Sequence, residues 1–418
     1  MNTALPRIEY FDDETYDPFM DDRLNWGDVL DPYETLARLR HERGPVVEGE
    51  YRTLFGMAPD VTRPKVRTFM VLGHDEVGEA LQTPEIFSNT FYECNMLPTF
   101  GQSVTIMDAP DHTRYRRIFQ KAFLPNIVNK WGDALVQPAI DDLIGKFQHR
   151  GSAELVSEFT KLYPFEIIYR QLQLPRKDCD TFHKLGASLT SFAVDPSKGR
   201  EASVKLGRYL EALINERRRN PGGDLVSTLV QAEVDGEYLP MEVLVSFFRQ
   251  LLNAAGDTTY RSTSSLMVAL LTHPDQLEAL RQNRSLMPAA IEELIRWDGP
   301  VGLQGRLAVR DTVLGGISIP AGSVVEVMAM AADRDETKFP NPDKFDIFRR
   351  SSARHYGFSS GPHICIGQHL ARIEMTRAVN ALLDRLPNLR LDPVMPWPEI
   401  RGIWMRFPDH IHVKFDPN

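Results

Sequence analysis

Cysteine is scarce in this chain: three residues in 418, Cys94, Cys179 and Cys365. They are far apart and odd in number, which excludes a disulfide framework and a four-ligand zinc site and suits a reducing compartment. Long apolar runs are missing too. Nothing approaches the ~18 uncharged apolar residues of a membrane span. The opening stretch, MNTALPRIEYFDDETYDPF, lacks the basic start and apolar centre of a targeting peptide. A cytoplasmic, soluble protein without a membrane anchor is expected. Positive charge is in deficit, 48 Lys and Arg against 57 Asp and Glu for a net charge of -9, which excludes nucleic acid as the main partner. No G-x-x-x-x-G-K phosphate loop, internal repeat or Gly/Ser-rich linker interrupts the chain. One domain over 1–418 is expected, with residues 1–30 as an N-terminal extension.

What the chain does have is material for a core: 42% hydrophobic residues, with 29 prolines to punctuate them. Apolar residues recur every three or four positions in segments beginning near Pro32, His74, His112, Leu135, Asp178, Val204, Pro240, Pro274, Pro288 and Gly367. Two blocks read as β: TFMVLG with the earlier GPVV, and LGGISIPAGSVVEVM as a hairpin around Pro-Ala-Gly. The fold class is therefore mainly α with a small β-rich part. From Pro240 to His273 one helix would run about 50 Å, enough to cross a domain and bury its middle. That middle reads NAAGDTTY, residues 253–260. Gly, Asp and Thr are poor helix formers, so their presence there calls for a reason.

The stretch YGFSSGPHICIGQHLARIEM, residues 356–375, sets Cys365 in a Gly-rich loop directly before a helix. Free N–H groups and the dipole at a helix N-terminus favour a thiolate, hence a metal ligand or a nucleophile. Gly361 and Gly367 would let the backbone approach something flat and bulky. A buried, inert cysteine is the plain alternative. A Cys-His hydrolase using His363 is another, but it does not explain the Phe358-to-Gly367 frame.

This stretch resembles the signature F-G-x-G-x-H-x-C-x-G of the cytochrome P-450 haem-thiolate monooxygenases, through Phe358, Gly361, His363, Cys365 and Gly367, followed by Leu370-Ala371-Arg372. Ser359 departs from the pattern, standing where the first Gly is usual. The resemblance runs from about Asp31 to Phe415. It implies a cytochrome P-450 fold with haem b between the long central helix and the cysteine-loop helix, Cys365 as the metal ligand, dioxygen as co-substrate and the protein as a monomer. A thiolate ligand favours O–O cleavage.

Further residues take roles from the same resemblance. Glu293 and Arg296 form an E-x-x-R pair, with Arg334 in ADRDETKFPNPDKFD as its third member. In MDAPDHTRYRRIFQKAFLP, His112 and Arg116 would meet the haem propionates, joined by Arg306 and His355. On the central helix Ala254 would lie over the haem, while Asp257 and Thr258 would form the acid-alcohol pair that delivers protons. Ala255 stands where the family usually has Gly, which narrows the groove. The helical period adds a second face, Arg114, Arg117 and Lys121, opposite His112 and Arg116. Such a stripe is either solvated surface or a docking face for a [2Fe-2S] ferredoxin fed by its reductase. Family position places Tyr92, Met96, Leu97, Leu252, Ala255, Val301, Gly302, Leu303, Ile403, Trp404 and Met405 around a substrate pocket. The nearly apolar lining implies a terpenoid, steroid-like or aromatic substrate. A peroxide-using enzyme of the same fold would lack the acid-alcohol pair, and a non-catalytic haem ligand-binding protein would need an output module. The insertion 49–67 and the segment 92–100 are expected near the substrate entry.

Overall fold

The computed structural model describes residues 5–63, 65–191 and 195–417. Its axis is the helix Met241–Thr272, 32 residues or about 48 Å long. Pro240, extended at φ -57 and ψ 147, starts it. At the far end His273 leaves helical geometry directly before Pro274, because a residue ahead of proline is pushed out of the α region. The helices Tyr163–Leu172, Cys179–Ser188, Pro196–Arg219, Met287–Asp298 and Gln368–Arg385 pack around it. The last carries Cys365 just before its first turn. The N-terminal extension joins the core, with Ile8, Phe11 and Trp26 buried.

The helix runs unbroken through NAAGDTTY. Two hydroxyls bond back to the helix itself: Thr258 Oγ1 donates to Ala254 O and Ser262 Oγ to Thr258 O, each at 2.9 Å. Gly256 has a packing reason rather than a cavity reason. A Cβ there would drive into the Phe165 ring of the neighbouring helix.

The main sheet has five strands in the order Val46–Glu48, Thr68–Val71, Val324–Val327, Gln304–Ala308, Phe87–Ser88. The hairpin expected around Pro320-Ala321-Gly322 does not form. Ile317–Ile319 instead turns back on Thr312–Leu314 through Gly315 and Gly316, both at positive φ. Val324–Val327 passes into the main sheet, parallel to Thr68–Val71 and antiparallel to Gln304–Ala308. All four residues of that strand are buried, including Glu326, whose carboxylate meets Arg63 Nη1 at 2.7 Å and accepts from Tyr51 N at 2.8 Å. The 49–67 insertion is thus pinned to the sheet by its own arginine. Helix starts fall close to the expected residues except that the segment assigned from Val204 begins at Pro196, and the helices Pro125–Trp131, Tyr163–Leu172 and Leu225–Val230 have no counterpart among the expected starts.

Candidate active site

The loop 356–367 crosses beneath the central helix and leaves a cavity of about 330 Å³ between them. Leu251, Ala254, Ala255, Thr258, Thr259 and Ser262 supply the upper wall, one face of the helix at intervals of three and four. Phe358, Ser359, His363, Cys365 and Gly367 supply the lower wall, with Leu370, Ala371 and Glu374 from the next helix.

Loop geometry explains its composition. Cys365 N donates to Phe358 O at 2.9 Å and closes the turn. Gly361 sits at φ +66, and a Cβ there would lie 2.5 Å from Leu81 O. Gly367 is different. No atom comes within 4 Å of a Cβ built on it, so protein packing does not demand glycine there, whereas close approach of a bulky group in the cavity would. The thiol of Cys365 accepts from the N–H groups of Gly367 and Gln368, but burial outweighs them and pushes its pKa up. The helix end alone does not produce a thiolate here, contrary to the expectation from sequence. A cation on the sulfur would.

Beside the cavity stands a cluster of donors short of acceptors. His112 Nε2 and Arg116 Nε are buried without a hydrogen-bond partner. Arg116 Nη2 is donated to Ile364 O, in the cysteine loop. Arg306, 2% exposed, bonds Gly305 O at 2.8 Å, Gln304 Oε1 at 3.3 Å and the Tyr92 hydroxyl, with Asp108 acting on it from a distance and no carboxylate among the described residues paired with it. The His112 and His363 rings lie 4.0 Å apart. Burial, first, and neighbouring cations depress both, His112 to about 4 and His363 to about 2, so both rings are neutral at pH 7. Two guanidinium groups and an orphaned imidazole suit a ligand carrying carboxylates. A flat macrocycle with two propionates and a metal for Cys365 fits this cavity.

Several residues lie elsewhere than sequence placed them. His355 does not reach the cavity: its Nε2 is 2.9 Å from Glu292, which also holds Arg372 through Nε at 2.6 Å. It braces the cysteine-loop helix from outside through Glu292, while its Nδ1 is buried without a partner. Glu293 and Arg296 pair at 2.8 Å as expected, but the third member is Arg349, whose Nε lies 3.0 Å from both Glu293 oxygens. Arg334 instead donates to Trp297 O and Asp343 and covers the Tyr33 ring at 3.4 Å. Of the pocket residues, Tyr92, Ala255 and Val301 line the cavity. Met96, Leu97, Leu252, Gly302, Leu303, Ile403, Trp404 and Met405 do not. Leu252 faces Gly186 on the other side of the helix, and its place is taken by Leu251. Asp257 turns away as well, bidentate to Arg261 at 3.0 and 3.1 Å. Thr258 does line the cavity. On the Asp111–Ala122 helix the two faces separate as expected, His112 inward and Arg117 and Lys121 exposed, but Arg114 is tied to Asp235 at 2.8 Å. Thr105, Phe123, Ile295, Pro300 and Gln304 complete the wall. Only the helical period could have pointed to Leu251, Thr259 and Ser262.

Among the described residues no group of His, Cys, Asp and Glu forms an all-protein metal site, and no helix is long and apolar enough to cross a membrane. The family model for cytochrome P-450 matches residues 196–402. Cytochrome P-450 monooxygenase PikC of Streptomyces venezuelae is 34% identical over 90% of this chain and 90% of its own. Putative cytochrome P-450 YjiB of Bacillus subtilis is 33% identical over 83% of this chain and 89% of its own. Among solved structures, CYP109E1 of Bacillus megaterium in complex with testosterone superposes with a TM-score of 0.80 at 26% identity, covering 92% of this chain and 99% of that one. With the thiol, the glycine frame and the donors waiting for carboxylates already in place, these likenesses mean that the chain belongs to the cytochrome P-450 family, the haem b monooxygenases that use dioxygen.

Proposed function

We propose that the protein oxidises a hydrophobic small molecule of terpenoid, steroid-like or aromatic type, with electrons delivered by a [2Fe-2S] ferredoxin and its reductase. The observation that carries this reading is the upper wall of the cavity. Leu251, Ala254 and Ala255, with Phe123, Ile295 and Val301, offer carbon surface, and the hydroxyl of Thr258 is already engaged by Ala254 O. Such a wall pairs poorly with charged or strongly hydrated ligands. That CYP109E1 binds testosterone supports the class without naming the compound.

Cys365 would hold the iron and His112, Arg116 and Arg306 the propionates. When bound, the haem supplies an iron-thiolate centre that activates dioxygen after reduction. The chain's own part is to exclude water, orient the substrate and deliver protons. Thr258 Oγ1 faces the cavity; with its hydrogen on Ala254 O its lone pairs can accept a hydrogen bond from water there, and it hands on a proton only when the hydroxyl turns away from Ala254 O. Asp257 lies one position round the helix. Its carboxylate can serve Thr258 only when the Arg261 pair opens.

A ligand panel read by the Soret band tests this. Hydrophobic compounds should shift the band toward its high-spin position, and sugars and small acids should not; largest shifts from charged hydrophilic compounds would overturn the substrate class. With the best ligand, Thr258→Ala should still consume reductant but release more hydrogen peroxide per product. Unchanged coupling would remove Thr258 from the proton route.

A further inference from the structure

Ser359 stands where the family signature has glycine, and it keeps the glycine conformation, φ 62. A residue with a Cβ avoids that region. Ser359 N donates to Tyr356 O at 2.7 Å, so the turn is held regardless of side chain. The side chain has a separate partner. Its Oγ donates to Gln304 Oε1 at 2.9 Å, and the same oxygen accepts Nη2 of Arg306 at 3.3 Å. Two donors converging on one atom require the amide oxygen there and leave its nitrogen on the other side. Ser359 is 8% exposed and Arg306 2%, and both Ser359 and Gln304 line the cavity. Gln304 opens the strand Gln304–Ala308, opposite Val327. A chain of hydrogen bonds therefore runs from the cysteine loop to the buried guanidinium beside the cavity.

We propose that Ser359 is a positioning residue for the haem carboxylate site. Its hydroxyl fixes the Gln304 amide, the amide fixes Arg306, and the cysteine loop and the carboxylate anchor are held as one unit. A glycine at 359 would leave Gln304 free to rotate and Arg306 to follow it. The inference rests on the assignment of Arg306 to the propionates.

The holoenzyme tests it through two variants that share the lost hydroxyl but differ in backbone strain. Ser359→Ala keeps a Cβ at positive φ; Ser359→Gly removes it. Haem transfer from ferric holoprotein to excess apomyoglobin should be faster in both, by about 2- to 10-fold, the effect of one neutral hydrogen bond. The ferric-ferrous midpoint should move in the same direction in both. Combining either with Gln304→Ala should add nothing further, since the two residues act as one unit. If Ser359→Gly retains haem as well as wild type, or if the Ser359 and Gln304 effects simply add, the tie is overturned. Arg306→Leu in the same assay separates the two levels. If it leaves haem loss unchanged, the carboxylate assignment fails and this proposal with it. If it accelerates loss while Ser359→Gly does not, only the Ser359 tie fails.

Discussion

Two arginine clusters, each pairing a buried arginine with a half-buried one, are built in opposite ways. In the first, Glu293 meets Arg296 at 2.8 Å and Arg349 at 3.0 Å. The remaining Arg296 donors go to the carbonyls of Asp333, Pro342 and Lys344. Nearly every donor and acceptor is used. In the second, Arg116 and Arg306 have backbone carbonyls, one amide and the Tyr92 hydroxyl; Asp108 acts on Arg306 from a distance but no carboxylate pairs with either arginine, and His112 Nε2 has nothing. A buried charge without a counter-charge is costly, and folding does not retain one without a use. The satisfied cluster is a brace, complete in the protein alone. The unsatisfied one is completed by something the chain must bind.

Breaking the brace has the largest expected effect. Glu293→Gln leaves the buried Arg296 and the half-buried Arg349 short of a charge and should cost about 3–5 kcal/mol of unfolding free energy, measurable by denaturant titration. A double-mutant cycle locates its members. Glu293 and Arg349 should be coupled, whereas Glu293 and Arg334 should add to within about 0.5 kcal/mol because they share no contact. Coupling to Arg334 and not Arg349 would refute the geometry described above.

That cycle addresses a point on which sequence and structure part. The E-x-x-R spacing is local, three residues along one helix, and it was legible. Its third arginine comes from a segment of irregular backbone that holds both Arg334 and Arg349, and no periodicity ranks one above the other. The same divide runs through the site. Cys365, Gly361, Gly367, His112, Arg116 and Thr258 could be placed because a motif or a helix face fixed them, and Arg306 through the family resemblance alone. The pocket list failed for Leu252 because one step round a helix is about 100°, enough to carry a side chain from the cavity to Gly186. Asp257 points away from the cavity for the same geometric reason, with Arg261 four residues on to capture it. His355 and the Pro-Ala-Gly turn depended on tertiary partners that no local pattern encodes.

A third buried site, centred on the carboxylate of Glu326, sharpens the comparison by lying between the two extremes. Glu326 has Arg63 and Tyr51 N where Glu293 has two arginines, and its burial outweighs them, raising its pKa from 4.5 to about 7. In the folded protein the acid therefore holds a proton that the unfolded chain releases near 4.5. Its contribution to stability is most favourable below 4.5 and is lost as pH rises to about 7. Glu326→Gln, which cannot ionise, should flatten the pH dependence of unfolding free energy across that window. If the wild-type and Gln variants fall in parallel from pH 5 to 7, Glu326 is not the titrating group.

The smallest expected effect on the fold concerns cations that need no completion. Arg117 and Lys121 stand exposed on the helix whose other face carries His112 and Arg116, so water already solvates them and reversing their charge should change stability by no more than about 0.5 kcal/mol. Haem content and ligand shifts should stay at wild-type values for the same reason. If this face receives an acidic ferredoxin, the rate of reduction should nonetheless fall in Arg117→Glu with Lys121→Glu, and the wild-type rate should drop with added salt while the variant's does not, because screening removes only an attraction that exists. Arg114 is left out of the test. Its ion pair with Asp235 ties it to a neighbouring hairpin, and a change there would mix docking with folding. Equal rates and equal salt dependence in both proteins would make the stripe ordinary solvated surface, and the half-buried Arg116 and the buried Arg306 would then be the cations with a partner to meet.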